Sequence, residues 1–469
     1  MRYISTRGQS PPVSFLDAVL AGMAPDGGLY VPESWPTAQR ATRHHYASVA
    51  GDTLAAFAGH DIDPEDVFAM TNKAYIDAPT NPHDDAWRPK WPEAVAPLRQ
   101  TGAGTWRLEL FHGPSLSFKD VAMQLIGPLF DYALAKRQQR QTVVCATSGD
   151  TGGAAVEALK HRDRLDLFVL TPKGRVSDVQ LRFMTTSGAD NVHAIEVDGD
   201  FDACQSIVKA MFADADFAQR AHLSGVNSIN FARILAQSVY FQIASQLLSA
   251  DGPVSFVVPT GNFGDAYSGW VAKQMGAPIE RIVLATNEND ILVRALSTGR
   301  YERGQSKATL SPAMDIQVAS NFERILFEAV DRDAEIVRGL YASFAQSGGF
   351  DIPPPALEKL RRTFGAESVT DGATLTTMRD AWRYDGELLC PHSAVAERAR
   401  ASGWTPPGIF LATAHPAKFP ETIERATGEK PQLPAHCADL FARPQKIDAL
   451  PADAEAVKQY IRERSRAWS

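Results

Sequence analysis

The stretch TVVCATSGDTGGAAVEALKHR, residues 142–162, runs from a short apolar segment rich in valine and threonine, through a glycine turn, into a helical pattern. A brief β-branched run bounded by turn residues suits a strand buried on both faces. The order strand, turn, helix is the repeating unit of a parallel sheet. Working outward, the same theme returns in LDLFVLTP (165–172), VHAIEVDG (192–199), VSFVVPTGN (254–262), RIVLATN (281–287) and GIFLATAHP (408–416). Helical stretches such as FDACQSIVKAMF and NFARILAQSVYFQIASQLL lie between most of them. The expectation is an α/β fold with open, largely parallel sheets covered by helices. Such folds bind ligands at the carboxyl ends of strands. Three of these strands end there in glycine- or histidine-bearing turns.

The chain has 469 residues, roughly three times a typical domain length, which predicts two or three domains. A net charge of -8 argues against nucleic acid or an anionic membrane as the main partner. Cys145, Cys204, Cys390 and Cys437 lie too far apart to suggest a zinc site or a disulfide framework, so no metal is expected. Cys145 reads as a small buried hydrophobe. No apolar run approaches the roughly 18 residues of a membrane helix. MRYISTRGQSPPVSF, at the N-terminus, lacks a signal-peptide core. A cytoplasmic location is the expectation.

Five stretches carry candidate chemistry. HGPSLSFKD (112–120) places Lys119 at the start of a helical pattern. The positive end of a helix is a poor place for a free ammonium. PTGNFGDAYSG (259–269) follows a strand and opens a helix; Gly261 and Gly264 can adopt positive φ and turn N–H groups outward as a phosphate cradle. It is neither a P-loop nor a dinucleotide fingerprint, and a glycine turn needed for packing fits equally well. ATSGDTGGAA (146–155) offers Thr147, Ser148 and Thr151 hydroxyls at another helix start, suited to a carboxylate or a second phosphate, or simply to a capped helix. NSINFAR (227–233) gathers Asn227, Ser228, Asn230 and Arg233; the arginine fork grips an oxyanion or stands in solvent. ATAHPAKF (412–419) ends the last strand with Thr413, His415 and Lys418, where a structural histidine and a surface lysine are the plainer reading. A lysine that forms a Schiff base, beside a phosphate cradle that lacks nucleotide motifs, points to pyridoxal phosphate.

YISTRG, VSFLDAVLAGMAPDGGLYVP, FHGPSLSFKDVAMQ, ATSGDTGGAA, PKGRVSDVQ, GVNSINFARILAQ, PTGNFGDAYSG, SPAMDIQVASNFER and TAHPAKF together resemble the threonine synthases, fold-type II pyridoxal-phosphate enzymes, in their longer form. The resemblance covers nearly the whole chain. It implies a tryptophan-synthase-β-like fold of two α/β open-sheet domains. It also implies an N-terminal, mostly helical region (1–95), a cofactor-binding core of two interleaved subdomains (96–300), a mostly helical insertion (301–405), and the last core strand with a C-terminal tail (406–469). On this likeness Lys119 is the Schiff-base lysine and shuttles protons. Gly261, Asn262, Phe263, Gly264 and Asp265 hold the cofactor phosphate, and Thr413 faces the pyridine nitrogen. Asp150 stands where relatives often have an asparagine near the cofactor 3'-oxygen; an ionised aspartate cannot donate there. Ser148, Gly149 and Thr151 match the substrate-carboxylate loop. Asn227, Ser228 and Arg233 match the group that receives the phosphate of O-phospho-L-homoserine. The implied reaction yields L-threonine and phosphate, in a monomer or homodimer.

Overall fold

The computed structural model describes all residues except 38–44, 77–90, 92, 93, 401–403, 405 and 469. The proline-rich joint at 77–98, a candidate domain boundary, lies largely outside the described residues.

The apolar runs form strands where they were expected. β1 (Arg2–Ser5), β2 (Val13–Ser14) and β3 (Tyr30–Pro32) make a small antiparallel sheet in the order β2-β1-β3. The strands β4 (Leu98–Gly102), β5 (Thr105–Glu109), β6 (Gln141–Ala146), β7 (Leu165–Pro172), β8 (Val192–Asp198), β9 (Leu223–Ser224), β10 (Val254–Pro259) and β11 (Ile279–Thr286) follow. After them come β12 (Arg300–Glu302), β13 (Gly349–Asp351), β14 (Phe364–Ser368), β15 (Gly408–Ala412) and β16 (Asp448–Pro451).

Two larger sheets carry the molecule. One has the order β14-β11-β10-β15-β5-β4, parallel except for the β4–β5 hairpin. The other, β16-β8-β7-β6-β9, is parallel throughout. The strands β7, β10 and β15 are buried along their whole length, as strands covered by helices on both faces must be. The helix Lys119–Arg137 packs against both Asp150–Leu159, which follows β6, and Phe231–Leu248.

Residues 301–405 do more than insert helices: they supply β14, which adds to the edge of the six-stranded sheet beside β11. The C-terminal segment likewise gives β16 to the five-stranded sheet beside β8. The N-terminal layer docks on the core. Tyr75 donates to the Val121 carbonyl at 2.8 Å, and Asn230 Nδ2 donates to the Val19 carbonyl at 2.8 Å. The consequence for chemistry is convergence: the turns leaving β6, β10 and β15 meet the loop that leaves β5 and ends in Lys119.

Candidate active site

The loop 112–118 is held from within. Asp120 accepts hydrogen bonds from the Ser115 amide at 2.8 Å and the Ser115 hydroxyl at 2.6 Å. Burial pushes the Asp120 carboxyl up to about 6, against the pull of these donors and Lys418. Leu116 is fully buried in a left-handed conformation, φ 63°. A Cβ on Gly113 would lie 2.5 Å from Asp120 Cβ, so only glycine lets the loop close. The loop is stitched to the turn after β15: the Phe118 amide donates to the Thr413 carbonyl at 2.8 Å, and the His415 amide to the Leu116 carbonyl at 3.0 Å.

Lys119 is the first residue of its helix and is 9% exposed. Its Nζ lies 3.3 Å from Asp150 Oδ2 and 4.6 Å from the centre of the Phe118 ring. The carboxylate answers the difficulty of an ammonium at a helix N-terminus. Burial pushes the Lys119 ammonium below its ordinary range; Asp150 opposes this, while Arg233 and Lys418 reinforce it. Asp150 is shared. Its Oδ1 lies 2.8 Å from Lys418 Nζ and accepts from Gln180 Nε2 at 2.9 Å. Burial alone would raise this carboxyl, but Lys418, then Lys119 and His392, hold it well below the carboxylate range.

Lys418 is therefore no surface charge. It is 1% exposed and also donates to the Ser115 carbonyl at 2.8 Å. The plain sequence reading fails because nothing local marks a lysine in a short turn as inward-facing; the partner sits 268 positions earlier, at the start of the helix that follows β6.

The glycine turn after β10 departs from expectation in one respect. The left-handed residue is Phe263, φ 63°, and neither Gly261 nor Gly264 has positive φ. The Phe263 ring is anchored against Phe322 and Phe364, which holds the backbone in that conformation. The glycines are needed for close approach instead. A Cβ on Gly261 would meet Ile316 Cδ1 at 3.0 Å, and one on Gly264 would meet Asn321 Nδ2 at 3.1 Å. Asn262 gives its carbonyl to the Asn321 amide at 3.0 Å. Asp265, buried at the first turn of the following helix, accepts from the Tyr240 hydroxyl and leaves Oδ2 without a partner. Burial pushes it up to about 7.

Arg233 is 3% exposed, and its Nε has no hydrogen-bond partner. Burial pushes the guanidinium down to about 10; Cys145, Tyr240 and Asp265 act on it in the other direction. A buried cation with an unfilled donor is a place prepared for an anion. Asn227 and Ser228 are half-buried beside it, and the Ser228 carbonyl accepts from Asn321 Nδ2 at 3.1 Å. Asn230 is structural: its side chain caps the Phe231–Leu248 helix and reaches Val19. In the turn after β6, Thr147 Oγ1 accepts from the Gly149 and Gly152 amides at 2.9 and 3.0 Å, leaving Ser148 and Thr151 half-buried. Thr413 is buried at the end of β15, its amide donating to Ser393 Oγ at 3.1 Å. His392 was missed in the sequence; burial pushes it down to about 4, and Asp150, Lys119 and Lys418 all act on it. Among the described residues no group of His, Cys, Asp and Glu is arranged to hold a metal.

A buried lysine on a carboxylate, a glycine cradle and an unfilled arginine donor fit a phosphorylated aldehyde. Comparison with known proteins agrees. The family described as "Pyridoxal-phosphate dependent enzyme" matches residues 98–408, "Threonine synthase N terminus" matches 2–75 and "Threonine synthase, C-terminal" matches 393–461. A threonine synthase of Pseudomonas aeruginosa is 44% identical, with 98% of each chain covered. The chain belongs to the threonine synthase family. The solved structure of the pyridoxal-phosphate-bound threonine synthase of Brucella melitensis superposes with a TM-score of 0.93 at 48% identity, covering 100% of both chains. The yeast threonine synthase structure superposes with a TM-score of 0.89 at 35% identity, covering 99% and 98%. The fold is thus that of the fold-type II enzymes, tryptophan-synthase-β-like. The cofactor of this threonine synthase family member is pyridoxal 5'-phosphate, and it is a lyase of threonine biosynthesis. No helix among the described residues is long and apolar enough to cross a membrane.

Proposed function

We propose that this chain converts O-phospho-L-homoserine and water to L-threonine and phosphate, with Lys119 as the residue that holds the cofactor aldehyde and moves protons. The observation that carries the reading is the pairing of a buried Lys119 on Asp150 with the unfilled Arg233 donor within its electrostatic reach. When bound, the cofactor supplies an electron sink conjugated to the substrate α-carbon.

The chain's own residues do the rest. Gly261, Asn262, Phe263, Gly264 and Asp265 would receive the cofactor phosphate at the start of a helix, whose N-terminus favours an anion. Thr413 presents its hydroxyl to the pyridine nitrogen. Asp150, a pure acceptor while ionised, serves the Lys119 amine rather than donating to the cofactor 3'-oxygen. The Ser148–Thr151 turn binds the substrate carboxylate. Lys119 Nζ then takes the α-proton and later returns a proton to carbon. Arg233, with Asn227 and Ser228, stabilises the phosphate as it leaves the γ-carbon, where negative charge builds. Burial of Lys119, Asp150 and Arg233 keeps stray water from the reacting centre. We place the protein in the cytoplasm, as a monomer or homodimer, with the division 1–95, 96–300, 301–405 and 406–469.

The test is a product analysis. The cofactor-loaded protein is incubated with O-phosphohomoserine, and phosphate, threonine and 2-oxobutyrate are quantified in one sample. Equal threonine and phosphate are expected, with both lost in K119A. Phosphate with 2-oxobutyrate in place of threonine overturns the synthase reading, and turnover retained by K119A removes Lys119 from its role.

A further inference from the structure

Lys418 has no part in the chemistry assigned to Lys119, Asp150 and Arg233. Asp150 needs one buried cation for charge balance, and Lys119 already supplies it. Yet Lys418 is also brought in, 1% exposed, and fastened by two contacts of 2.8 Å, to Asp150 Oδ1 and to the Ser115 carbonyl. A buried ammonium is unfavourable unless its position does something that a neutral side chain could not.

We propose that Lys418 is a positioning residue for Lys119, acting through Asp150: it takes one carboxylate oxygen so that the other orients the Lys119 amine without locking it as an ammonium. The inference rests on the reading of Lys119 as the cofactor lysine. If Lys119 were the only cation on Asp150, removing its proton would strand a buried carboxylate. With Lys418 on Oδ1, Asp150 stays paired after Lys119 has given up its proton. Lys418 also repels positive charge on Lys119 directly. Gln180 Nε2, donating to the same Oδ1, holds the carboxylate plane.

The other titratable groups facing the pair are Asp120, next to Lys119 on its own helix and acted on by Lys418, and three from separate elements. Arg233 projects from the Phe231–Leu248 helix, Asp265 from Gly264–Gln274 and His392 from Pro391–Ala399. Arg233 adds to the repulsion. Asp265, if ionised, opposes it. His392 is neutral at ordinary pH because burial depresses it to about 4. None of them touches both lysines' shared carboxylate. Removing Lys418 and removing the Asp150 charge must therefore move Lys119 in opposite directions.

The experiment uses full-length protein freed of cofactor. Trace acetic anhydride labels amines over a pH series, and mass spectrometry reads the modification of Lys119. In K418M the Lys119 midpoint is expected to rise by on the order of one pH unit, which is about tenfold slower labelling at a fixed lower pH. In D150N it is expected to fall. K418R, which keeps the charge, is expected to restore the wild-type value. K418Q is the second variant if K418M does not fold, since it removes only the charge and keeps a donor for Ser115. A K418M or K418Q midpoint that is unchanged or lower overturns the proposal. So does a D150N midpoint that fails to drop, or movement of D150N and K418M in the same direction, which is what simple collapse of the site would produce. Borohydride reduction of the loaded protein with peptide mapping is a separate check: cofactor fixed to another lysine refutes the Lys119 assignment without bearing on the labelling shifts.

Discussion

Asp265 keeps Oδ1 on the Tyr240 hydroxyl and buries Oδ2 with no partner. Its folded-state carboxyl sits at about 7 because burial disfavours the charged form more than Tyr240, Arg233 and Lys119 favour it. In the unfolded chain the same group titrates near 3.8. A group raised on folding contributes stability that is fully present below its unfolded value and lost as pH rises through the folded one. Stability of the cofactor-free protein should therefore decline between about pH 4 and 7, by an amount on the order of a few kcal/mol from this group. Asp120, pushed to about 6, adds a smaller decline of the same sign. D265N keeps the shape and removes the titration. Melting temperature followed over that pH range should flatten in D265N; slopes that coincide with wild type would show that the carboxyl is already ionised at low pH. At this scale the sequence was partly legible. Lys119 and Asp265 stood out with their motifs, whereas Lys418, His392 and the raised Asp265 carboxyl owe their character to burial beside residues distant in sequence. Positive φ was expected of glycine on intrinsic preference; packing of the Phe263 ring against Phe322 and Phe364 overrode it.

The turn after β6 shows how an element fixes a site. Gly149 caps the Asp150–Leu159 helix at φ 133° and ψ -72°, a conformation that L side chains rarely adopt. A Cβ there would stand 2.5 Å from Gln180 Cδ and 2.6 Å from its Nε2, the atom bonded to Asp150. G149A is thus strained in its backbone and displaces the third partner of Asp150 at once. It should lower stability by about 1–3 kcal/mol and raise KM for the substrate, read from a urea melt and steady-state kinetics. An unchanged melt together with an unchanged KM would mean that the turn relaxes freely. Elements were legible where apolar runs end in turns: β6, β7, β10 and β15 are buried almost throughout, and β8 and β11 keep enough buried apolar positions to read the same way. The strand β5 was not, because Arg107 and Glu109 interrupt its apolar pattern. Both are buried, and Glu109 is satisfied by Arg107 at 2.7 Å and Arg99 at 2.9 Å, pairings that no local pattern reveals. The edge strands β4, β14 and β16 are short and partly exposed, so packing leaves little mark on their composition.

Arg324 joins the layers of the whole molecule. It is fully buried and ties two distant segments to the cap of its own helix. Its Nε donates to the Tyr30 carbonyl of β3 at 3.1 Å, one terminal nitrogen donates to the Ile229 carbonyl at 2.6 Å, and the other to Asn321 Oδ1. Asn321 in turn holds Asn262 in the glycine turn after β10 and Ser228 in the 227–233 run. The N-terminal sheet, the glycine turn after β10 and the 227–233 run are thus tied through one planar cation. The neighbouring Glu323 strengthens the seam, accepting from Thr6 Oγ1 at 2.6 Å and from Arg7 at 3.1 and 3.0 Å. R324M fills much of the volume but leaves three acceptors without their donor, each deprived by about 1–3 kcal/mol in a buried setting. Partial relaxation reduces the sum, so a loss on the order of 3 kcal/mol is expected in urea unfolding. R324K should not restore it, because one ammonium cannot reach three acceptors in the plane of a guanidinium. The distinguishing readout is functional. Although Arg324 is not placed against substrate, R324M should raise KM through the slackened 228–230 and 262 backbone and expose the N-terminal layer to limited proteolysis. A stable R324M with wild-type KM and an uncut N-terminus would show that the N-terminal sheet and the site are held independently, each by its own contacts with the core.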